Sequence, residues 1–125
     1  MKTMLVACAL DGDLPEVAGE GFRFAERLGL SPVLVHVDSN PGVFVEDAAF
    51  LDPARLERMR ADYAELAARD LRDVAAAVAP GKTVEVVVRT GKASDELCEL
   101  AKEREAELVV VGGGRRARLR HFLYG

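Results

Sequence analysis

Four stretches of the chain are almost unbroken apolar runs: residues 4–10 (MLVACAL), 32–37 (PVLVHV), 83–88 (TVEVVV) and 108–111 (LVVV). They are short and lack the alternation of a half-exposed sheet. That pattern predicts parallel strands covered on both faces. Between them the apolar positions spread to helical spacing. Asp13-Leu14-Pro15-Glu16 predicts a helix start, with Asp13 as N-cap, Pro15 in the first turn and Glu16 at the third helical position. Leu14, Val17, Ala18, Gly21, Ala25 and Leu28 share one face of that helix. Gly21 on this face permits a close approach to the sheet, and Gly29 ends the helix. Asp52-Pro53 opens the longest helix, which runs to Ala79, where Pro80-Gly81 stops it. Leu56, Met59, Tyr63, Leu66, Val74 and Ala77 are expected along its inner face. At 1.5 Å per residue it is about 40 Å long, more than a strand, so one end should overhang the sheet. A third helix begins near Ser94, a candidate N-cap, with Asp95 and Glu96 where the helix dipole favours acid. Leu97, Leu100 and Ala101 bury it. Residues 39–51 carry Asn40-Pro41-Gly42 and the apolar Val43, Phe44 and Val45, and are expected to form a flap. Strands alternating with helices imply one α/β domain over residues 1–125, with a parallel sheet and right-handed crossovers.

The last strand runs straight into Gly112, Gly113 and Gly114. Three glycines leave an approaching ligand unobstructed and present backbone N–H groups. Arg115, Arg116, Arg118 and Arg120 follow, interleaved with Leu119, Phe122 and Leu123, a pattern that predicts a basic amphipathic helix. In an open α/β sheet an anion binds at this place, past a strand's carboxyl end at the turn into a helix. The competing reading is a plain turn followed by a solvated basic helix.

Composition narrows the choice. Half of the 125 residues are hydrophobic and 30% are charged, as in ordinary globular domains. The net charge of −4 argues against a general nucleic-acid binder. No apolar run approaches the ~20 residues that span a membrane. Cys8 and Cys98 each lie in an apolar context and read as reduced, buried thiols of a cytoplasmic protein, the alternative being one disulfide between them. His36 and His121 have no Cys or His at ligand spacing, so no metal site is expected. Gly81-Lys82-Thr83 imitates the end of a P-loop, but Ala76 replaces its first glycine and a strand follows. Cys8 has no base beside it, and no catalytic residue can be assigned.

Several of these pieces together resemble the universal stress protein family. Met4-Leu5-Val6-Ala7 running to Asp11-Gly12 resembles its first strand and the Asp that follows. Leu34-Val35-His36-Val37 resembles its second strand, and Gly91-Lys92-Ala93 its Gly-x-Pro/Ala turn. The stretch from Val109 to Gly125 resembles its nucleotide-binding signature, Gly-x2-Gly-x9-Gly-Ser/Thr. The resemblance implies a three-layer, doubly wound sheet of strand order 3-2-1-4, akin to adenine-nucleotide hydrolase folds, with a fifth strand in the family. It also implies a stress-response protein that binds ATP or another adenine nucleotide and forms a homodimer, at most a slow ATPase. By that resemblance Asp11 lies near the adenosine and the backbone of Val37 meets the adenine. Val111 and Gly112 then floor the phosphate turn, and Gly125 is the last signature glycine.

Two departures stand out. Arg115 occupies the position of the second signature glycine and cannot relax into positive φ as glycine does. Its side chain could instead pair with phosphate, and Gly113 and Gly114 could supply flexibility early. A similar Gly-to-Arg pattern occurs in stress-protein-like modules of potassium-responsive sensor kinases. The alternative is therefore an interaction module of the same fold that binds a protein partner and no nucleotide. The second departure is that the chain stops at Gly125, before the family's Ser/Thr and fifth strand. The expectation is a C-terminally trimmed form of a longer protein, or a second chain covering the bare edge of residues 108–111.

Overall fold

The computed structural model describes residues 2–38, 52–112 and 120–123, the last four by their backbone alone. The strands are β1 (Thr3–Ala7), β2 (Ser31–Asp38), β3 (Glu85–Thr90), β4 (Ala106–Val111) and β5 (Arg120–Leu123). The helices are α1 (Leu14–Leu28), α2 (Pro53–Val78) and α3 (Ala93–Glu103). The sheet order is β3-β2-β1-β4-β5. β1 pairs in parallel with β2 and β4, and β2 with β3, so the 3-2-1-4 parallel sheet expected above is present. The chain steps one way from β1 through β2 to β3, then back to β4. Right-handed crossovers therefore put α1 and α2 on one face and α3 on the other.

Each face closes its own core. Met4 and Val6 of β1, Leu34 of β2, and Leu108 and Val110 of β4 point to α1 and α2, where Val17, Phe22 and Leu71 meet them. Leu5, Val33, Val35 and Val109 point the other way, to Leu100 and Ala101 of α3. Strand side chains alternate between faces, so a strand buried on both must be apolar throughout. Gly21 serves as expected: a Cβ there would lie 2.6 Å from Val6 Cγ1, so only glycine lets α1 sit this close to β1. Gly29 closes α1 at φ 67°, in the left-handed region.

The elements differ from the sequence reading in five places. α3 starts at Ala93 with Lys92 at its N-cap, so Ser94 lies inside the helix and does not cap it. β1 ends at Ala7, and residues 8–10 leave the ladder although they are apolar. β3 begins two residues late, because its ladder with β2 starts at Val33↔Glu85. The inner face of α2 is Ala67, Leu71 and Ala75, whereas Met59, Tyr63 and Leu66 are exposed. The small alanines let the helix lie against the sheet, and the bulkier stripe falls on a flank of the overhanging half. Finally, residues 120–123 of the expected basic helix form a strand, antiparallel to β4 with Val111↔Arg120 and Leu108↔Leu123 in register. An edge strand leaves a row of N–H and C=O groups unpaired, and this segment pairs them. The fifth strand expected to be missing is thus supplied within the basic segment, with reversed direction. The flap over 39–51 lies outside the described residues.

Candidate functional site

Between β1 and β4 the direction of winding reverses, and their carboxyl ends part around a crevice, the usual ligand position in such sheets. The chain leaves β4 under tight constraint. Gly112 is buried and donates its N–H to the Ala7 carbonyl at 3.2 Å. A Cβ on Gly112 would stand 2.4 Å from Val17 Cγ1 of α1. Packing, rather than an unusual φ, therefore requires glycine at this strand end.

On the β1 side it is Asp11, and not the expected Asp13, whose side chain bonds the backbone at the start of α1. Asp13 occupies the N-cap position of α1 but makes no side-chain cap bond. Asp11 Oδ1 accepts the Asp13 N–H at 2.9 Å, and the Asp11 carbonyl accepts the Leu14 N–H at 3.2 Å. Asp11 thus builds the turn that starts α1, while its side chain stays exposed. Val37 lies at the carboxyl end of β2, packed against the core of the α3 face, in register with Arg89. Asp11, Val37, Val111 and Gly112 therefore share one edge of the sheet. Gly113, Gly114, Arg115 and Gly125 lie outside the described residues.

Several groups at this edge were not singled out by sequence reasoning. A cavity of about 390 Å³ is lined by Leu10, Asp11, Gly12, Leu14 and Pro15 on one side and Asp70, Asp73 and Val74 of α2 on the other. Tyr63, two turns before Asp70 in α2, has its phenol pushed up by burial and by the charges of Asp38 and Asp70. The cavity between the exit of β1 and α2 is thus acidic. On the helix surface Asp70 and Asp73 read as ordinary solvated charges; only the placement of α2 aims them here. His36 Nδ1 lies 2.9 Å from the Cys8 carbonyl. A carbonyl only accepts, so Nδ1 is the donor; Nε2 is buried with no partner among the described residues. This bond ties the exit of β1 to β2. Cys8 is buried, and that desolvation, reinforced by Asp11, pushes its thiol up to about 12. Among the described residues no cluster of His, Cys, Asp and Glu could hold a metal ion.

The P-loop-like Gly81-Lys82-Thr83 lies in the turn before β3, at the opposite, amino end of the sheet. It borders a larger groove, about 1080 Å³, between α1 and the end of α2. Size alone would favour that groove, but it lies away from the switch point and the glycine run. Among the described residues no helix is long and apolar enough to cross a membrane.

No curated protein matches the chain closely enough to count as a relative. The model of the universal stress protein family matches residues 1–125, the full span of the chain. With the sheet order, the Asp11 turn and the glycine exit of β4 in place, the chain belongs to the universal stress protein family, and a role in stress response follows from that membership.

Proposed function

We propose that this protein binds an adenine nucleotide in the crevice at the carboxyl ends of β1 and β4, and acts by binding rather than turnover. The observation that carries the reading is Gly112. A strand end that only glycine fits opens the glycine run, at the point where open α/β sheets take ligands. Family membership supplies the ligand class. In this reading Asp11 meets the ribose, the Val37 backbone meets the base, and Val111 with Gly112 floors the phosphate turn. Gly113, Gly114, Arg115 and Gly125 complete the loop. The affinity is lower than in family members with the intact signature, because Arg115 replaces a wrapping glycine. Asp11, with Asp70 and Asp73 across the cavity beside it, also opposes phosphate. A Cys8 thiol with a pKa of about 12 is a poor nucleophile at neutral pH, in keeping with a binder. Cys8 is a buried free thiol, as in proteins of a reducing compartment such as the cytoplasm.

The test is calorimetric titration of ATP into the native chain and into Arg115→Gly, with mass analysis of any nucleotide released on denaturation. Weak binding that the substitution tightens is the expected result. Tight native binding left unimproved would refute the argument from Arg115. No binding by either chain would favour the second reading, a protein-interaction module of the same fold, which the acidic cavity also supports.

A further inference from the structure

We propose that Arg89 and Glu96 are positioning residues for the base side of the crevice: together they hold the turn after β3, and through it the backbone at the end of β2. This role rests on the nucleotide reading above for what that backbone contacts. Arg89 stands on β3 opposite Val37, and Thr90 opposite Asp38. The next residue, Gly91, donates its N–H to the Asp38 carbonyl at 3.0 Å, which joins the turn to the exit of β2. Gly91 has φ 142°, a conformation that residues with side chains rarely adopt. The turn presses onto Glu96 of α3: a Cβ on Gly91 would lie 3.1 Å from Glu96 Cγ and Oε1. Glu96 Oε2 in turn pairs with Arg89 Nη1 at 3.8 Å, and the Arg89 guanidinium also bonds Glu103.

Two features set this pair apart from an ordinary surface ion pair. Its side chains are largely enclosed, 26% exposed for Arg89 and 22% for Glu96. Glu96 Oε2 is also buried, with no hydrogen-bond partner among the described residues. At 3.8 Å the guanidinium supplies charge but no hydrogen bond. A buried carboxylate oxygen in that state costs stability, so strength of folding does not account for Glu96. Its place under Gly91 does. Arg89 follows Val87 by two residues and shares its face of β3, toward α3, as Val37 does on β2. Glu96 and Glu103 lie two turns apart along one side of α3. A guanidinium fork can hold both carboxylates at once, which a lysine ammonium does not reproduce. Arg89 thereby fastens α3 to the carboxyl end of β3, beside Val37. Adenine and guanine offer opposite donors and acceptors to a backbone that reads them. Discrimination therefore requires the Val37 N–H and C=O to be held to about 0.5 Å.

NMR of the nitrogen-labelled full chain tests it in two steps. Amide exchange comes first and needs no ligand. Arg89→Lys and Glu96→Ala should each speed exchange of the Gly91 N–H by about tenfold or more, the effect of losing a charged contact. The Gly112 N–H, bonded to the Ala7 carbonyl on the β4 side, should keep its native rate. Arg104→Ala breaks the Glu85 pair at the amino end of β3 and should leave Gly91 unchanged. Titration follows. In Arg89→Lys and Glu96→Ala the preference for ATP over GTP should fall about fivefold, as when one neutral hydrogen bond is displaced. Affinity for inorganic tripolyphosphate should hold. Gly91 exchange that is unchanged, or raised equally by Arg104→Ala, overturns the proposal, since the pair would then only help α3 to dock. Faster Gly91 exchange with an unchanged base preference overturns the positioning role. A native chain that binds no ATP refutes the nucleotide reading, and the positioning of a base with it; the exchange result then still decides whether the pair holds the end of β2.

Discussion

At the scale of single residues, two positions on the crevice wall behave differently from their sequence appearance. Gly112 looks like the first of three flexible glycines, but it is a packing residue against Val17. Gly112→Ala should destabilise the fold by about 1–3 kcal/mol, the usual range for overpacking. Urea unfolding of Gly112→Ala, Val17→Ala and the double variant would check it. The double variant should be more stable than the sum of the two single losses implies, because the new methyl fills the space Val17 vacates. Additive losses would mean that the backbone, not the contact, demands glycine. Cys8 is the second case. Its folded pKa, about 12, stands above the ordinary value of 9.0, so the folded state holds its proton longer than the unfolded one. Stability from this group is therefore fully present below pH ~9 and falls as pH rises towards ~12, by at most about 1.4 kcal/mol per pH unit. Tyr63 titrates late for related reasons and adds to the fall above its ordinary value of 10.0. The Cys8→Ala variant should show a shallower loss between pH 9 and 10, before tyrosine contributes. Equal slopes in the two proteins would show that Cys8 is accessible to water.

At the scale of elements, α2 shows where an apolar periodicity misleads. Leu56, Met59, Tyr63 and Leu66 form a clean stripe, yet the sheet is met by Ala67, Leu71 and Ala75. Periodicity reports that a helix has an apolar side; it does not report which of two adjacent sides faces the sheet. Leu71 is fully buried whereas Leu66 is 58% exposed. Leu71→Ala should therefore cost about 2–5 kcal/mol, and Leu66→Ala within about 0.5 kcal/mol, both measured by denaturation in dilute solution. Comparable losses at the two sites would place Leu66 in a core after all. The ends of this helix were far more legible than its faces. Asp52 caps it by accepting the Arg55 N–H at 3.0 Å, and Pro53 stands in its first turn, as the local sequence requires. Capping is local chemistry and can be read locally. The Asp11–Asp13 turn resisted the same reading because two aspartates compete for one helix start, and only the path out of β1 decides between them.

At the scale of the whole molecule, the parallel sheet was legible because each strand is buried on two faces and so announces itself as an unbroken apolar run. The candidate site was legible only along the chain. Asp11, Val37, Val111 and Gly112 could be placed on strand ends, whereas Asp70 and Asp73 come to face the Asp11 turn across a cavity through tertiary packing that local pattern does not encode. The same limit applied to the far edge of the sheet. Residues 115–123 read as a basic amphipathic helix, but 120–123 are a strand paired antiparallel with β4. Helix propensity in a short exposed segment is worth tenths of a kcal/mol per residue, whereas an open β4 edge leaves several backbone groups without partners. The non-local pairing wins. A direct test follows. Proline has no N–H and is excluded from paired strand interiors, so Phe122→Pro, opposite Val109, should undo β5 and bare the β4 edge. The variant should then show faster amide exchange through residues 108–111 and light scattering that rises with concentration, since bare apolar edges template pairing with other chains. Unchanged exchange in β4, with no added association, would mean that β5 contributes nothing to protecting the edge.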